Sequence, residues 1–165
     1  MNCRCFSAKK EDICETAASN SHLNCLKYAH ENGCSWDEDT CNWAVVNDNL
    51  NCLKYAHENG CRWSIQTCIT AARHGHLDCL RYTHEIGCPW DEETVPIAIS
   101  TKNWSCAIYA IEYGCPHNPE DIPAHLKKTL MRRKVRRLFP QLAETLRQRG
   151  KNKQTQTEII ASNKY

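Results

Sequence analysis

The pattern of apolar and polar positions along this chain repeats. Cys79, Leu80 and Thr83 form an apolar stripe at i, i+1 and i+4, and Cys52, Leu53 and Ala56 form the same stripe earlier. That spacing predicts short amphipathic helices. Cysteine fixes the period: Cys25, Cys52, Cys79 and Cys106 stand 27 residues apart, and so do Cys34, Cys61, Cys88 and Cys115. Gly33, Gly60, Gly87 and Gly114 keep the interval, as do Tyr28, Tyr55, Tyr82 and Tyr109, and Ala17, Ala44, Ala71 and Ala98. Trp36, Trp63 and Trp90 follow until His117 breaks the series. Both Cys25–Cys34 and Cys52–Cys61 read CLKYAHENGC. A self-similarity of this length identifies a repeat architecture.

Each copy predicts two helices. In the third, Ser64 caps a helix running to about His74, and a second begins at His76 or Leu77 and ends at Gly87, where glycine suits the left-handed position after a helix. The next copy opens on Asp91 as N-cap, with Glu92 and Glu93 in the first turn; Asp37, Glu38 and Asp39 repeat that arrangement. Negative charge is favoured there by the helix dipole. A fifth start has Asn118 as cap and Pro119 at the first helical position, where a missing N–H costs nothing. Trp36, Trp63 and Trp90 precede their caps, and Cys41, Cys68 and Val95 stand four positions beyond those caps, the spacing of a hydrophobic staple. An exposed aromatic binding anchor is the other reading of these tryptophans. Helices of this length are marginal alone, so each pair is expected to be stable only when stacked on its neighbours.

Composition narrows the class. With 41% hydrophobic and 24% charged residues, the 165-residue chain reads as a soluble globular protein. It contains no apolar run of membrane-spanning length and no apolar signal core in Met1–Lys10, so a reducing interior is expected and the chain's 13 cysteines are read as buried thiols. Only Cys3 and Cys5 are closely spaced, and no second short-spaced pair completes a zinc set. We therefore expect no metal and no cofactor. Net charge is +2 but uneven: residues 1–126 hold 9 Lys+Arg against 17 Asp+Glu, giving −8, and residues 127–165 hold 12 against 2, giving +10.

The segment Ala71-Ala72-Arg73-His74-Gly75-His76-Leu77-Asp78-Cys79-Leu80, closing on Gly87-Cys88, resembles the ankyrin repeat. That family has paired alanines, two free positions, Gly-His-Leu, an acidic residue, an aliphatic pair and a final glycine step. The resemblance spans about residues 11–126. The copies are shorter than the family's usual 33 residues, and the missing residues fall where the family builds its projecting β-turn finger. The family's Thr-Pro-Leu-His tetrad is replaced by Gln66-Thr67-Cys68-Ile69, and Gly75 becomes Ser21, Asp48 and Lys102 in the other copies. The chain looks like the short, Cys- and Trp-rich ankyrin arrays of large DNA viruses and some protists. The resemblance implies an all-α, ankyrin-like solenoid of stacked helix pairs, to which the tail's own pattern adds a C-terminal basic helix. The organisation read from the sequence is an N-terminal segment 1–10, four repeats over 11–118 (about 11–36, 37–63, 64–90 and 91–117), capping and basic helices over 119–150, and a disordered tail 151–165.

No nucleophile motif, phosphate loop or metal-binding helix pair is present, so no catalytic residue is assigned. His30, His57 and His84 recur in one slot and are read as structural. The resemblance implies a protein-binding face at the family's two free positions, here Ser19, Asn20, Val46, Asn47, Arg73, His74, Ser100 and Thr101. A basic patch follows at Lys127, Lys128, Arg132, Arg133, Lys134, Arg136 and Arg137, on a helix continuing from Pro119, with Gln141–Arg149 as a last helix. Three readings of the patch stay open: the solvated face of a terminal cap, a nuclear-import or nucleic-acid site, and a dock for an acidic partner. The expected function is a non-enzymatic module for protein–protein interaction, such as a viral adaptor acting on host proteins. The alternative is a nuclear or nucleic-acid-associated protein working through its basic helix. We expect a cytoplasmic or nuclear monomer with a protein partner and no membrane association.

Overall fold

The computed structural model describes residues 13–141, 144 and 147; the segment 1–10, Gly150 and the tail 151–165 lie outside them. Among the described residues all regular structure is helical. The helices are α1 (Ile13–Ser19), α2 (Leu23–Glu31), α3 (Glu38–Val46), α4 (Leu50–Glu58), α5 (Ile65–His74), α6 (Leu77–Glu85), α7 (Thr94–Ser100), α8 (Trp104–Glu112) and α9 (Ala124–Leu138). The chain divides into two compact units between Asp121 and Ile122.

In the first unit the helices pair in order: α1 with α2, α3 with α4, α5 with α6, α7 with α8. The first members also pack in series, α1 on α3, α3 on α5 and α5 on α7, and the second members do the same, α2 to α4 to α6 to α8. Small side chains permit this approach, for Ala17, Ala44, Ala71 and Ala98 are fully buried on the first helices. Leu26, Leu53 and Leu80 are fully buried on the second helices, each burial contributing about 1.5–3 kcal/mol. The predicted stripes Cys52, Leu53, Ala56 and Cys79, Leu80, Thr83 are the buried faces of α4 and α6.

Helix ends follow one rule in every copy. The second helices close with the N–H of Cys34, Cys61, Cys88 and Cys115 donating to the C=O of Ala29, Ala56, Thr83 and Ala110 at 2.9–3.0 Å. This is the Schellman closure, and at Gly87 it requires φ of +95°. The first helices close alike, with His22, Asn49, His76 and Asn103 N–H donating to Ala17, Ala44, Ala71 and Ala98 C=O at 2.8–3.0 Å. Their left-handed residue is Gly75 in one copy and Ser21, Asp48 and Lys102 in the others, at φ +56° to +60°.

Asp37 caps α3, accepting from Asp39 N–H at 3.0 Å, and Ser64 occupies the cap of α5. Two expectations are corrected. α7 starts at Thr94 with Glu93 at its cap, not at Asp91; the Asp91 carboxylate accepts Glu93 N–H at 2.7 Å in a preceding turn, so Pro96 falls in the first helical turn, where its missing N–H leaves no bond unmade. The helix expected to run on from Pro119 is a single 3-10 turn, Pro119–Asp121. Pro123 holds Ile122 out of the helical region, and α9 begins anew at Ala124.

In the second unit Leu126 is buried, and α9 ends at Leu138, just before Pro140. Of the expected last helix, Gln141, Glu144 and Arg147 are helical.

Candidate functional site

The first helices set the site. Because α1, α3, α5 and α7 pack side by side, about 8–10 Å apart as packed helices are, their C-terminal tips form a row. Ser19, Asn20, Val46, Asn47, Arg73, His74, Ser100 and Thr101 all occupy these tips. Ser19 and Val46 are half-buried and the other six exposed. Several spend their polar atoms on their own helix end. Asn20 Nδ2 donates to Thr16 C=O at 2.7 Å, Asn47 Nδ2 to Trp43 C=O at 3.0 Å, and Ser100 Oγ and Thr101 Oγ1 to Ile97 C=O at 2.9 Å. The His74 ring lies parallel to that of His76, 5.8 Å between centroids.

Behind the tips runs a joint between copies that the sequence reading did not assign. The residue capping the second helix of the second, third and fourth copies, at α4, α6 and α8, reaches back to the first helix of the preceding copy. Asn49 Nδ2 donates to Ala18 C=O at 2.6 Å, His76 Nε2 lies 3.1 Å from Val46 C=O, and Asn103 Nδ2 donates to Arg73 C=O at 2.7 Å. Helix-end carbonyls without an intrahelical partner are thereby satisfied. The signal was present in the sequence: this slot reads His22, Asn49, His76, Asn103, always a side chain able to donate from two or more bonds beyond Cβ.

An aromatic ladder occupies the other edge of the first unit. His30 stacks on Trp36 at 3.7 Å, His57 on Trp63 at 3.6 Å and His84 on Trp90 at 4.5 Å. The tyrosine of the following copy meets each stack edge-on: Tyr55, Tyr82 and Tyr109. His30 Nδ1 is 3.3 Å from Tyr55 Oη and His84 Nδ1 is 3.0 Å from Tyr109 Oη, both hydrogen-bonding distances. Lys27, Lys54 and Arg81 lie over these same tyrosines, 5.3–5.6 Å from the centroids, in cation–π range. The recurrent histidine is thus a packing group. The staple accounts for part of the tryptophan slot, since Trp90 packs on the cluster of Val95, Ala110 and Cys115, but the main ring partners are His and Tyr. Burial and the nearby glutamates Glu31, Glu58 and Glu85 push the three tyrosine hydroxyls above their ordinary pKa.

Ten of the described cysteines are free thiols, including the equivalent Cys52 and Cys79. The expectation of reduced thiols throughout fails at Cys25, which is disulfide-bonded. Glu15, Asp37 and Asp39 bring carboxylate oxygens within 4.8 Å of one another, with the two aspartates exposed to water, and among the described residues no Cys or His joins them.

Lys127, Lys128, Arg132, Arg133, Lys134, Arg136 and Arg137 are all exposed on α9, alongside exposed Met131 and Leu138. At 100° per residue these cations are spread around the helix rather than confined to one stripe. No described helix is long and apolar enough to cross a membrane. No protein-family model matches the chain, and no curated protein matches it.

Proposed function

We propose that the first unit is an ankyrin-like solenoid acting as a non-enzymatic protein-binding array, read through the tips of α1, α3, α5 and α7. One observation carries this reading. The buried slots stay nearly constant from copy to copy, whereas the tips change from Ser-Asn to Val-Asn, Arg-His and Ser-Thr. A constant scaffold presenting varied side chains at regular spacing suits recognition of one partner. The adaptor role, with a host protein as target, rests on the resemblance to viral arrays. Arg73→Ala combined with His74→Ala is expected to abolish partner capture in affinity purification while circular dichroism stays unchanged. Undiminished capture by that variant removes this face from the reading.

The seven exposed cations of α9 favour a second activity, binding of nucleic acid or a nuclear-import factor. Nucleic-acid affinity of the full chain would fall steeply with salt and vanish on removal of residues 127–165. An affinity indifferent to salt argues for the cap reading instead.

A further inference from the structure

Two cysteine slots meet inside each copy. One lies in the first helix, at Cys14, Cys41 and Cys68, with Val95 in the fourth copy; the other follows the second helix, at Cys34, Cys61, Cys88 and Cys115. Cys41 Sγ donates to Cys61 Sγ at 2.9 Å, both buried. In the next copy Cys68 Sγ donates to Thr83 Oγ1 at 3.3 Å and Cys88 Sγ to Ser64 C=O at 3.7 Å, and the two thiols, in the same slots, shift one another's acidity. Each pair joins the opening of a first helix to the loop that leaves the second, so a bond between them would clasp a whole copy. Equivalent cysteines sit on helices packed about 8–10 Å apart, beyond disulfide reach, whereas these partners belong to different slots of one copy.

We propose that Cys41 with Cys61, and Cys68 with Cys88, are redox modification sites that a hydroperoxide converts to disulfides within each copy. The two members of a pair have different roles. Cys61 and Cys88 stand on the loops, flanked by exposed Gly60 and Arg62 and by exposed Gly87 and Pro89, and each keeps 3% of its surface open. Cys41 and Cys68 are fully enclosed. The S–H of Cys41 points at Cys61 and favours its thiolate, holding the Cys61 thiol below its ordinary pKa, while that bond and burial push Cys41 up. Cys88 is likewise held down and Cys68 pushed up by their mutual influence and by burial, with the Cys68 thiol donating to Thr83 Oγ1. The thiolate is the nucleophile. Cys61 Sγ attacks one peroxide oxygen; the O–O bond breaks, the departing hydroxide (an alkoxide, from an organic hydroperoxide) takes up a proton, and Cys61 carries a sulfenic acid. Cys41 Sγ then attacks Cys61 Sγ. The S–S bond forms, the S–O bond breaks, and the second oxygen leaves as water with the Cys41 proton. Two thiols are oxidised and one hydroperoxide is reduced, to two waters when it is hydrogen peroxide.

The test begins with fully reduced, full-length protein exposed under native conditions to graded hydrogen peroxide, then alkylated and mapped by mass spectrometry. Cross-linked peptides joining Cys41 to Cys61 and Cys68 to Cys88 are expected, with a melting temperature above that of the reduced protein and reversed by dithiothreitol. Cys41→Val, which copies the Val95 opposite Cys115, is expected to lose the first link and keep the second. Val95→Cys is expected to gain a link to Cys115. The proposal is overturned if half-buried Cys34 oxidises while Cys61 and Cys88 do not. It is equally overturned if Cys61 and Cys88 pass to sulfinic acid with Cys41 and Cys68 still reduced, or if the links run between chains.

Discussion

The side-chain amide of Asn103 donates to the main-chain oxygen of Arg73 at 2.7 Å and to that of Ala72 at 3.2 Å. A residue at the start of α8 therefore completes the end of α5, one copy away. The backbone that orients the exposed Arg73 and His74 is held by a neighbour. Asn103→Ala leaves those carbonyls to solvent and is expected to cost about 1–2 kcal/mol, read as a lower urea midpoint. Asn49→Ala is expected to cost more, because Asn49 is buried. Unchanged midpoints for both variants would show that the joint contributes nothing.

The left-handed position before that joint gives a paired prediction. A Cβ at Gly75 would lie 2.6 Å from Asn103 Oδ1, at a φ of +81°. Gly75→Ala is expected to destabilise by more than the about 1–2 kcal/mol that left-handed geometry alone costs. Lys102 holds the equivalent conformation at φ +60°, and Lys102→Gly is expected to raise stability by about 1 kcal/mol. Thermal melts of the two variants should shift in opposite directions.

Much of this was legible in the sequence, and the reason is periodicity. Single helix ends are ambiguous, but Gly87 and its equivalents mark the same end four times, and α5 starts after Ser64 and ends at His74 as expected. What escaped detection was contact between copies. The partners Asn103 and Arg73, or His57 and Tyr82, lie a copy apart, and no spacing rule within a helix connects them. The sequence places the start of α7 at Asp91, which carries a capping residue's chemistry but caps only a turn. The continuity expected from Pro119 into α9 gave too little weight to the restraint Pro123 places on Ile122. The tip residues were legible as positions, though not the self-capping that occupies Asn20, Asn47, Ser100 and Thr101.

Buried hydroxyls supply a third prediction. Thr40 Oγ1 and Thr67 Oγ1 are buried with no hydrogen-bond partner. Valine has nearly the same shape and no group to desolvate. Thr67→Val is expected to stabilise by about 1–3 kcal/mol, seen as a higher denaturation midpoint at equal slope. A loss of stability would show that the hydroxyl has a partner in solution.

The thiols give a fourth, in alkaline solution. Burial raises Cys14, Cys106 and Cys115 from the ordinary value of 9.0 to about 11, and Cys79 to about 12. The folded chain keeps these protons where the unfolded chain releases them. Stability is therefore complete below about pH 9 and falls as pH rises through about 11 to 12, by about 1.4 kcal/mol for each tenfold difference in a group's acidity. Urea midpoints taken at increasing pH should decline from pH 9 upward, and less steeply in Cys106→Ala. A flat profile would contradict the burial of these thiols.

The joint at Asn49, His76 and Asn103 has a consequence for how such a chain can change length. Excising residues 50–76 would bring Asn49 directly before Leu77, with every donor and acceptor still in phase. A gene encoding this protein could lose or duplicate one rung and still specify a complete ladder, with the spacing between neighbouring tips preserved. The array then behaves as a ruler whose divisions are fixed and whose span is free to be selected.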